Sequence, residues 1–242
     1  MKKKNNLLFL GLTALCGSAA AALRMLMLSA GVDEKGLLMA DDPCSIALWA
    51  LSIGYLVAML LLLKRLGGSG SFETNFPACK LRGGLSLLAG ALLVAESTRQ
   101  LWAAQTLIGI LGILAGVGMI GAGVCRFVGK RPSPLFHTVV CVFFILRLIV
   151  SFQGWSADPQ LQDYALQMMA CVCLMLFSFH RASCDAGILN RRRTVFFALA
   201  AAYFCLASLS DETMPLLYLA AGLWTVGAGC NLDPLPVEEA EA

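Results

Sequence analysis

Residues 102–125, WAAQTLIGILGILAGVGMIGAGVC, form an uncharged run of 24 positions near the middle of the chain. As a helix rising 1.5 Å per residue, the run is about 36 Å long, which exceeds the roughly 30 Å of bilayer hydrocarbon. It lacks the period-two alternation of a barrel strand, and only helices and closed barrels satisfy their backbone groups inside a membrane. The run therefore predicts a transmembrane helix.

The rest of the 242-residue chain has the same character, with 59% hydrophobic and 14% charged residues and a mean hydropathy of +0.77. Soluble domains carry about 25% charged residues, so this composition excludes a soluble single domain. We predict an all-α, polytopic membrane helix bundle. Its eight predicted spans are residues 7–28, 44–63, 83–100, 102–125, 134–152, 161–180, 194–209 and 215–230. Span 83–100 has a short uncharged centre, so a tilted or re-entrant segment is its alternative.

The pattern predicts one transmembrane domain over residues 1–230 and a short acidic, disordered tail over 231–242. The glycine-rich connection 64–82 is typical of a flexible linker. The N-terminal segment imitates a secretory signal, but its apolar stretch continues past Arg24, which favours retention as a helix.

Basic residues predict the orientation, because short loops rich in lysine and arginine stay in the cytoplasm. With the N-terminus inside, 14 of the 18 basic residues fall on the inner side. We therefore expect a plasma membrane protein, in a bacterial cytoplasmic membrane, with both termini cytoplasmic. The arginine run 191–193 serves as a topology anchor, and the same charges can bind anionic lipid headgroups.

Similar residues at corresponding positions of the two halves of the chain suggest a parallel internal repeat of four plus four helices. The first helix of each half carries an arginine in its outer part, Arg24 and Arg147, and the last helix of each half closes on a Gly-Ala-Gly triplet. Some transporters build a site between such repeats. Convergence is the alternative, because tightly packed helices anywhere favour glycine.

Inserting a charged side chain at the centre of a membrane-spanning helix costs about 2.5–3.5 kcal/mol, so each such residue is a candidate for a structural or functional role. Arg147 and Glu96 fall at nearly the same height in the outer part of the bundle, with Arg24 and Gln167 in the same layer. We predict that these four residues bind a small anionic or zwitterionic solute, with Glu96 as the counter-ion of Arg147. In the alternative, the arginines extend to the outer headgroups and Glu96 pairs with Arg99.

For the glycines, cysteines and histidines, the sequence favours a role in helix packing over a role in catalysis or binding. The six glycines between positions 109 and 123 predict close contact with a neighbouring helix. The ten cysteines match no metal or disulfide framework and behave as small apolar residues. His137, His180, Cys184 and Asp185 lie near inner helix ends, but their spacing matches no ligand motif, so we predict no metal and no cofactor.

Three classes of function remain. A small-solute permease, or a permease-like protein, is favoured by the intramembrane arginines and predicts a polar cavity open to the outside. A regulatory, sensory or assembly subunit, which contacts another membrane protein through its helices, is the alternative. An intramembrane enzyme ranks last, since the spans contain too few clustered acids, histidines or nucleophiles. The expected partners are the lipid bilayer, the solute or a membrane protein, and not nucleic acid.

Overall fold

The computed structural model describes residues 4–30, 42–64, 71–103, 105–155, 164–210 and 214–232, and the regular structure in these ranges is entirely helical. This confirms the predicted all-α class. The helices, in chain order, are α1 Lys4–Ala30, α2 Pro43–Leu63, α3 Phe72–Asn75, α4 Lys80–Trp102, α5 Thr106–Val128, α6 Pro134–Trp155, α7 Ala165–Ala186, α8 Arg191–Ala207 and α9 Pro215–Ala228. The 3-10 turn Ser208–Ser210 extends α8.

Local chemistry sets several helix ends. The Asp42 carboxylate accepts a hydrogen bond from the backbone N–H of Ser45 at 3.1 Å, and Pro43 occupies the first turn of α2. Helix α5 ends at Gly129, whose φ of +80° lies in the left-handed region that favours glycine. These short-range signals are readable in the sequence, and each predicted span corresponds to one observed helix, with ends that differ by up to six residues.

Within the described ranges, six helices are long and apolar enough to cross a bilayer, which indicates a multi-pass membrane protein. Their candidate spans are Leu8–Ser29, Pro43–Leu63, Thr106–Val128, Pro134–Gly154, Ala165–Ala186 and Arg191–Ser210. The other two predicted spans correspond to α4, which carries Lys80, Arg82, Glu96 and Arg99, and to α9, which has only 14 residues. Eight spans are therefore not confirmed.

Helices α4 to α9 pack in a closed ring. Each contacts the next along the chain, α9 returns to α4, and α9 also touches α5 and α7 on the inside. Helix α1 lies outside this ring against α8, and α2 packs mainly on α1 with a small contact to α8. We call the end of the bundle where α5, α7 and α9 finish the basic end, and the opposite end the distal end.

Hydroxyl groups join the α1–α2 pair to α8. The Thr13 and Tyr55 hydroxyls are 2.9 Å apart, and the Tyr55 hydroxyl donates to the Leu199 carbonyl at 3.1 Å. The Ser52 and Tyr203 hydroxyls are also 2.9 Å apart, while the rings of Tyr55 and Tyr203 stack at 4.4 Å. These contacts lie near the middle of α2, and they set where α2 meets the ring.

Helices α4 and α5 pack closely through glycine, as the sequence predicts. A Cβ added to Gly90 would lie 2.6 Å from the carbonyl oxygen of Gly116, and one added to Gly116 would lie 2.8 Å from the carbonyl oxygen of Gly90. On another face of α5, a Cβ at Gly118 would lie 2.8 Å from the Phe136 carbonyl oxygen of α6. The glycines of α5 therefore let two neighbouring backbones approach.

The arrangement does not confirm the 4+4 repeat. In such a repeat α2 corresponds to α7 and α4 to α8, so α2 should pack on α4 as α7 packs on α8. The chief neighbours of α2 are instead α1 and α8, and those of α4 are α5 and α9. This arrangement favours the alternative of convergence, in which helix ends and close packing repeatedly select the same residues.

Part of the predicted linker is ordered at the basic end. Ser71 caps α3, with its hydroxyl accepting from the backbone N–H of Thr74 at 3.3 Å. Asn75 and Phe76 are buried, and the Asn75 carbonyl accepts from the backbone N–H of Asn231 at 2.6 Å. The prediction of a flexible linker is therefore wrong for residues 71–79, because two aromatic side chains there find partners across the bundle.

Candidate functional site

Glu96 lies on α4 with no exposed surface. Its Oε1 accepts from Arg99 Nη2 at 2.9 Å and from Gln100 Nε2 at 3.4 Å. The Arg99 side chain itself is 60% exposed, so it extends from the edge of the bundle. The i, i+3 pair that the sequence offered as an alternative is present, and its acid is enclosed by protein.

Arg147 lies on α6 and is only 6% exposed. Its Nη2 contacts the Met214 sulfur, just before α9, and the same sulfur lies 3.6 Å from Gln100 Nε2. Met214 therefore stands between Arg147 and the Gln100–Glu96 pair. The structure brings Arg147 and Glu96 into one polar layer toward the distal end, but the ion pair of Glu96 is with Arg99.

Three oxygen atoms on the same part of α4 are buried without a hydrogen-bond partner among the described residues: Glu96 Oε2, Ser97 Oγ and Gln100 Oε1. A buried polar atom without a partner costs about 1–3 kcal/mol, and more for a charged group. The carboxylate oxygen of Glu96 and the amide oxygen of Gln100 can each accept a further hydrogen bond, whereas the Ser97 hydroxyl, which packs against Gly112 of α5, can also donate one. Glu96 and Arg147 thus place an acceptor and a donor in the same polar layer.

Gln167 and Arg24 come from two different parts of the bundle, and both are buried. Gln167 lies one turn before Cys171 on α7, which packs against α6, the helix that carries Arg147. Arg24 is 3% exposed on α1, which packs against α8 outside the ring.

The basic end contains a second polar cluster, in which four arginines bind the carbonyls that end α9. Arg126 Nη1 and Arg181 Nε donate to the Ala228 carbonyl at 3.4 and 3.1 Å. The carbonyls of the next three residues accept from Arg82 and Arg191, namely those of Gly229, Cys230 and Asn231 at 3.2, 2.9 and 2.9 Å. The negative end of the α9 dipole favours these cations.

A single carboxylate links this cluster to a histidine. One oxygen of Asp185 contacts Arg181 Nη1, and the other lies 2.6 Å from His137 Nδ1. The His137 ring stacks on Trp224 with centroids 5.9 Å apart. His137 Nε2, Trp224 Nε1 and two nitrogens of Arg126 have no hydrogen-bond partner among the described residues. The cluster thus joins one acid to several buried donors.

Two phenylalanines cover these arginines at the basic end. The Arg181 guanidinium carbon lies 3.7 Å from the ring centroid of Phe76, and that of Arg126 lies 5.4 Å from it. The Arg131 guanidinium carbon lies 5.0 Å from the ring centroid of Phe72. Cation–π contacts of this kind stabilise desolvated arginines by about 2 kcal/mol. Residues 71–79 therefore close the basic end.

The sequence analysis missed this cluster, because it assigned Arg126 and Arg181 to orientation alone. The available signal was the placement of His137 and Asp185 near inner helix ends. His180, which was considered with them, instead stacks on Phe197 with centroids 5.3 Å apart. In the part of the chain that the structure describes, no three histidine, cysteine or acidic side chains lie close enough to hold a metal ion.

The chain matches no protein-family model, no curated protein and no solved structure.

Proposed function

We propose that this multi-pass membrane protein is a permease-like protein for a small zwitterionic or anionic solute, and that Arg147, Glu96 and Gln167 bind the solute. The observation that carries the proposal is the enclosure of Arg147 and Glu96 in the ring, where Glu96 Oε2 has no hydrogen-bond partner among the residues that the structure describes. Ionisable residues inside membrane helices are rare, and they mark solute and ion pathways.

A zwitterion matches the outer layer better than a simple anion does. Glu96 Oε2 and Gln100 Oε1 can accept hydrogen bonds from an ammonium group, while the Arg147 guanidinium presents a planar fork to a carboxylate. Gln167 on α7 is the third proposed ligand. Arg24 lies on α1, so in this proposal it supports the packing of α1 or the entrance and does not contact the solute.

An apolar region inside the ring, between the polar layer toward the distal end and the polar cluster at the basic end, supports a transport role. His137 and Arg147 are ten residues apart on α6, which corresponds to about 15 Å. Between them lie buried apolar side chains of α6 and α7, namely Phe143, Phe144, Leu174 and Phe177. Two polar layers separated by an apolar barrier fit a pathway that opens to one side at a time. The arginines at the basic end favour an anionic group on the solute.

Thermal unfolding of the detergent-purified protein tests the proposal without a transport assay. We expect amino acids, more than simple carboxylates or amines, to raise the Tm of the wild type, since a ligand at a hundred times its Kd stabilises a protein by about 2.7 kcal/mol. Arg147→Gln and Glu96→Gln should both lose this response. The control, Lys130→Gln, removes an exposed positive charge and should keep it.

If no compound of the panel raises the wild-type Tm, and Arg147→Gln melts like the wild type, the permease proposal is wrong. The regulatory or assembly subunit then becomes the better account, with Arg147 as a packing residue. Stabilisation that survives both substitutions would instead place the solute elsewhere in the bundle.

A further inference from the structure

A groove of about 630 Å³ lies between the second half of α2 and the first half of α8. Its apolar walls are formed by Val57, Leu60 and Leu61 of α2 and by Phe196 and Phe197 of α8. The three α2 residues are about half exposed, so they do not pack against the protein. The volume falls within the range of about 300–1,000 Å³ that small-molecule sites occupy.

The groove begins where the contacts between the two helices end. Hydrogen bonds join α2 and α8 at Ser52–Tyr203 and at Tyr55–Leu199. The helices are antiparallel there, so residues 57–64 continue alongside residues 192–197 toward the basic end. Along this stretch the groove separates the two helices. Because both helices are candidate membrane spans, its apolar walls lie in the hydrocarbon region.

Three positively charged side chains line one end of the groove. Lys64, Arg192 and Arg193 line it at the basic end, all three are exposed, and none of its lining residues is acidic. Lys64 directly follows the last residue of α2, and the two arginines lie in the first turn of α8. The site is therefore amphipathic along its length, with apolar walls and a cationic end.

The first turn of α8 is an unfavourable place for cations. Helix N-termini carry partial positive charge and favour acids, yet α8 begins with three arginines and has no acid in its first turn. Arg191 turns inward and donates to the Asn231 carbonyl, whereas Arg192 and Arg193 face outward into the groove end. A phosphate here would be attracted by the arginines, by Lys64 and by the dipole of α8.

We propose that this groove binds an anionic glycerophospholipid. Its phosphate contacts Lys64, Arg192 and Arg193, and one acyl chain lies between the leucines of α2 and Phe196 and Phe197 of α8. Residues 57–64 cover about 10 Å along α2, so the groove holds the first part of the chain and the remainder joins the bilayer. A bound lipid therefore bridges the α1–α2 pair to the ring where direct contact is missing.

The test is the thermal stability of the detergent-purified full chain with added lipid. We expect phosphatidylglycerol to raise the Tm by roughly 5–10 °C at a hundredfold excess over its Kd. Phosphatidylcholine with the same acyl chains should give little change, because its headgroup has no net charge. Glycerol 3-phosphate should also give little change, because it has the phosphate without a chain.

Two variants separate the two parts of the site. Arg192→Gln with Arg193→Gln removes the headgroup contacts, and Val57→Trp fills the apolar groove while leaving every charge in place. Both should lose the phosphatidylglycerol response. Lys80→Gln with Lys130→Gln removes two exposed charges from the same end of the bundle, away from the groove, and should keep the response.

Mass spectrometry of the intact protein counts the lipids retained after purification and gives a second readout if a variant unfolds early. The wild type should retain one more phosphatidylglycerol than either groove variant. An equal response to phosphatidylcholine, or a response that survives in both groove variants, would overturn the proposal. A full response to glycerol 3-phosphate alone would replace the lipid with a free phosphate compound, and no response would mean that the groove is filled by the protein.

Discussion

Asp185 shows how much a single buried residue determines at the basic end. It is the acid between Arg181 and His137, and Arg126 lies close enough to bind the same Ala228 carbonyl as Arg181. Arginine cannot lose its proton in a protein, so the charge of Arg181 must be balanced where it lies. The carboxylate therefore stabilises an otherwise unfavourable group of cations.

We predict that Asp185→Asn lowers the free energy of unfolding by about 3–5 kcal/mol, because the substitution leaves Arg181 uncompensated in a buried site. Chemical unfolding in detergent measures the change. Glu73→Gln, which removes an exposed acid of α3 at the same end, should change stability by less than about 0.5 kcal/mol. Adding Arg181→Met to Asp185→Asn should recover part of the loss, and no recovery would argue against the charge-balance explanation.

At the scale of helices, close contact between α4 and α5 depends on small residues and not on apolar character alone. Lipid chains are as apolar as leucine, so membrane helices gain little from hiding leucine and associate through packing. Gly90 and Gly116 each meet the backbone of the other helix. This contact also positions Glu96 and Gln100 of α4 inside the ring.

We predict that Gly90→Ala destabilises the protein by about 1–3 kcal/mol, because its new methyl group would lie 2.6 Å from the Gly116 carbonyl oxygen. Gly84→Ala is the matched control on the same helix, where nothing lies within 4 Å of an added Cβ. Both changes raise helix propensity by up to about 1 kcal/mol, so Gly84→Ala should be neutral or stabilising. Equal melting temperatures for the two variants would show that α4 and α5 do not pack this closely.

At the scale of the whole molecule, the ring explains how α4 and α9 can lie beside the six apolar helices. Helix α4 has its charges near its two ends, with residues 83–95 uncharged between them, and Glu96 is turned inward. Helix α9 is short, but it touches every other member of the ring: α4, α5, α7 and α8 along its length, and α6 through the stack of Trp224 on His137. Because protein contacts each of these helices on several sides, less of the polar and charged surface of α4, and less of the surface of the short α9, is exposed to lipid.

We predict that α4 crosses the membrane, and epitope insertion into the full chain tests this. A tag after Ala103 should be reached by antibody on intact spheroplasts, since it follows the distal end of α4. The distribution of basic residues predicts a cytoplasmic basic end, and on that prediction tags after Lys64 and Lys130, which lie at this end, should require permeabilisation. The Lys130 tag is also the control, because α5 is a candidate span in its own right. A tag after Ala103 that also requires permeabilisation would identify α4 as re-entrant.

Particular residues show what could be read without the structure. The uncharged run 102–125 led to helix α5, the glycines within it led to close packing, and Asp42, Pro43 and Gly129 mark helix ends through local chemistry. Hydropathy and capping depend on a few neighbouring residues, so both can be predicted from the sequence alone. The all-helical class, the membrane setting and the positions of the long helices were therefore determined by the sequence itself.

Only the tertiary structure decided which side chains meet. The sequence predicts an Arg147–Glu96 pair, but in the structure Met214 stands between the two and Arg99 is the ion-pair partner of Glu96. The histidine that binds Asp185 comes from a helix 48 residues away. The choice of neighbouring helices depends on many small packing energies summed over the whole bundle. It therefore cannot be predicted from any short stretch of sequence. The arginine cluster at the basic end and the lipid groove both follow from that choice of neighbours.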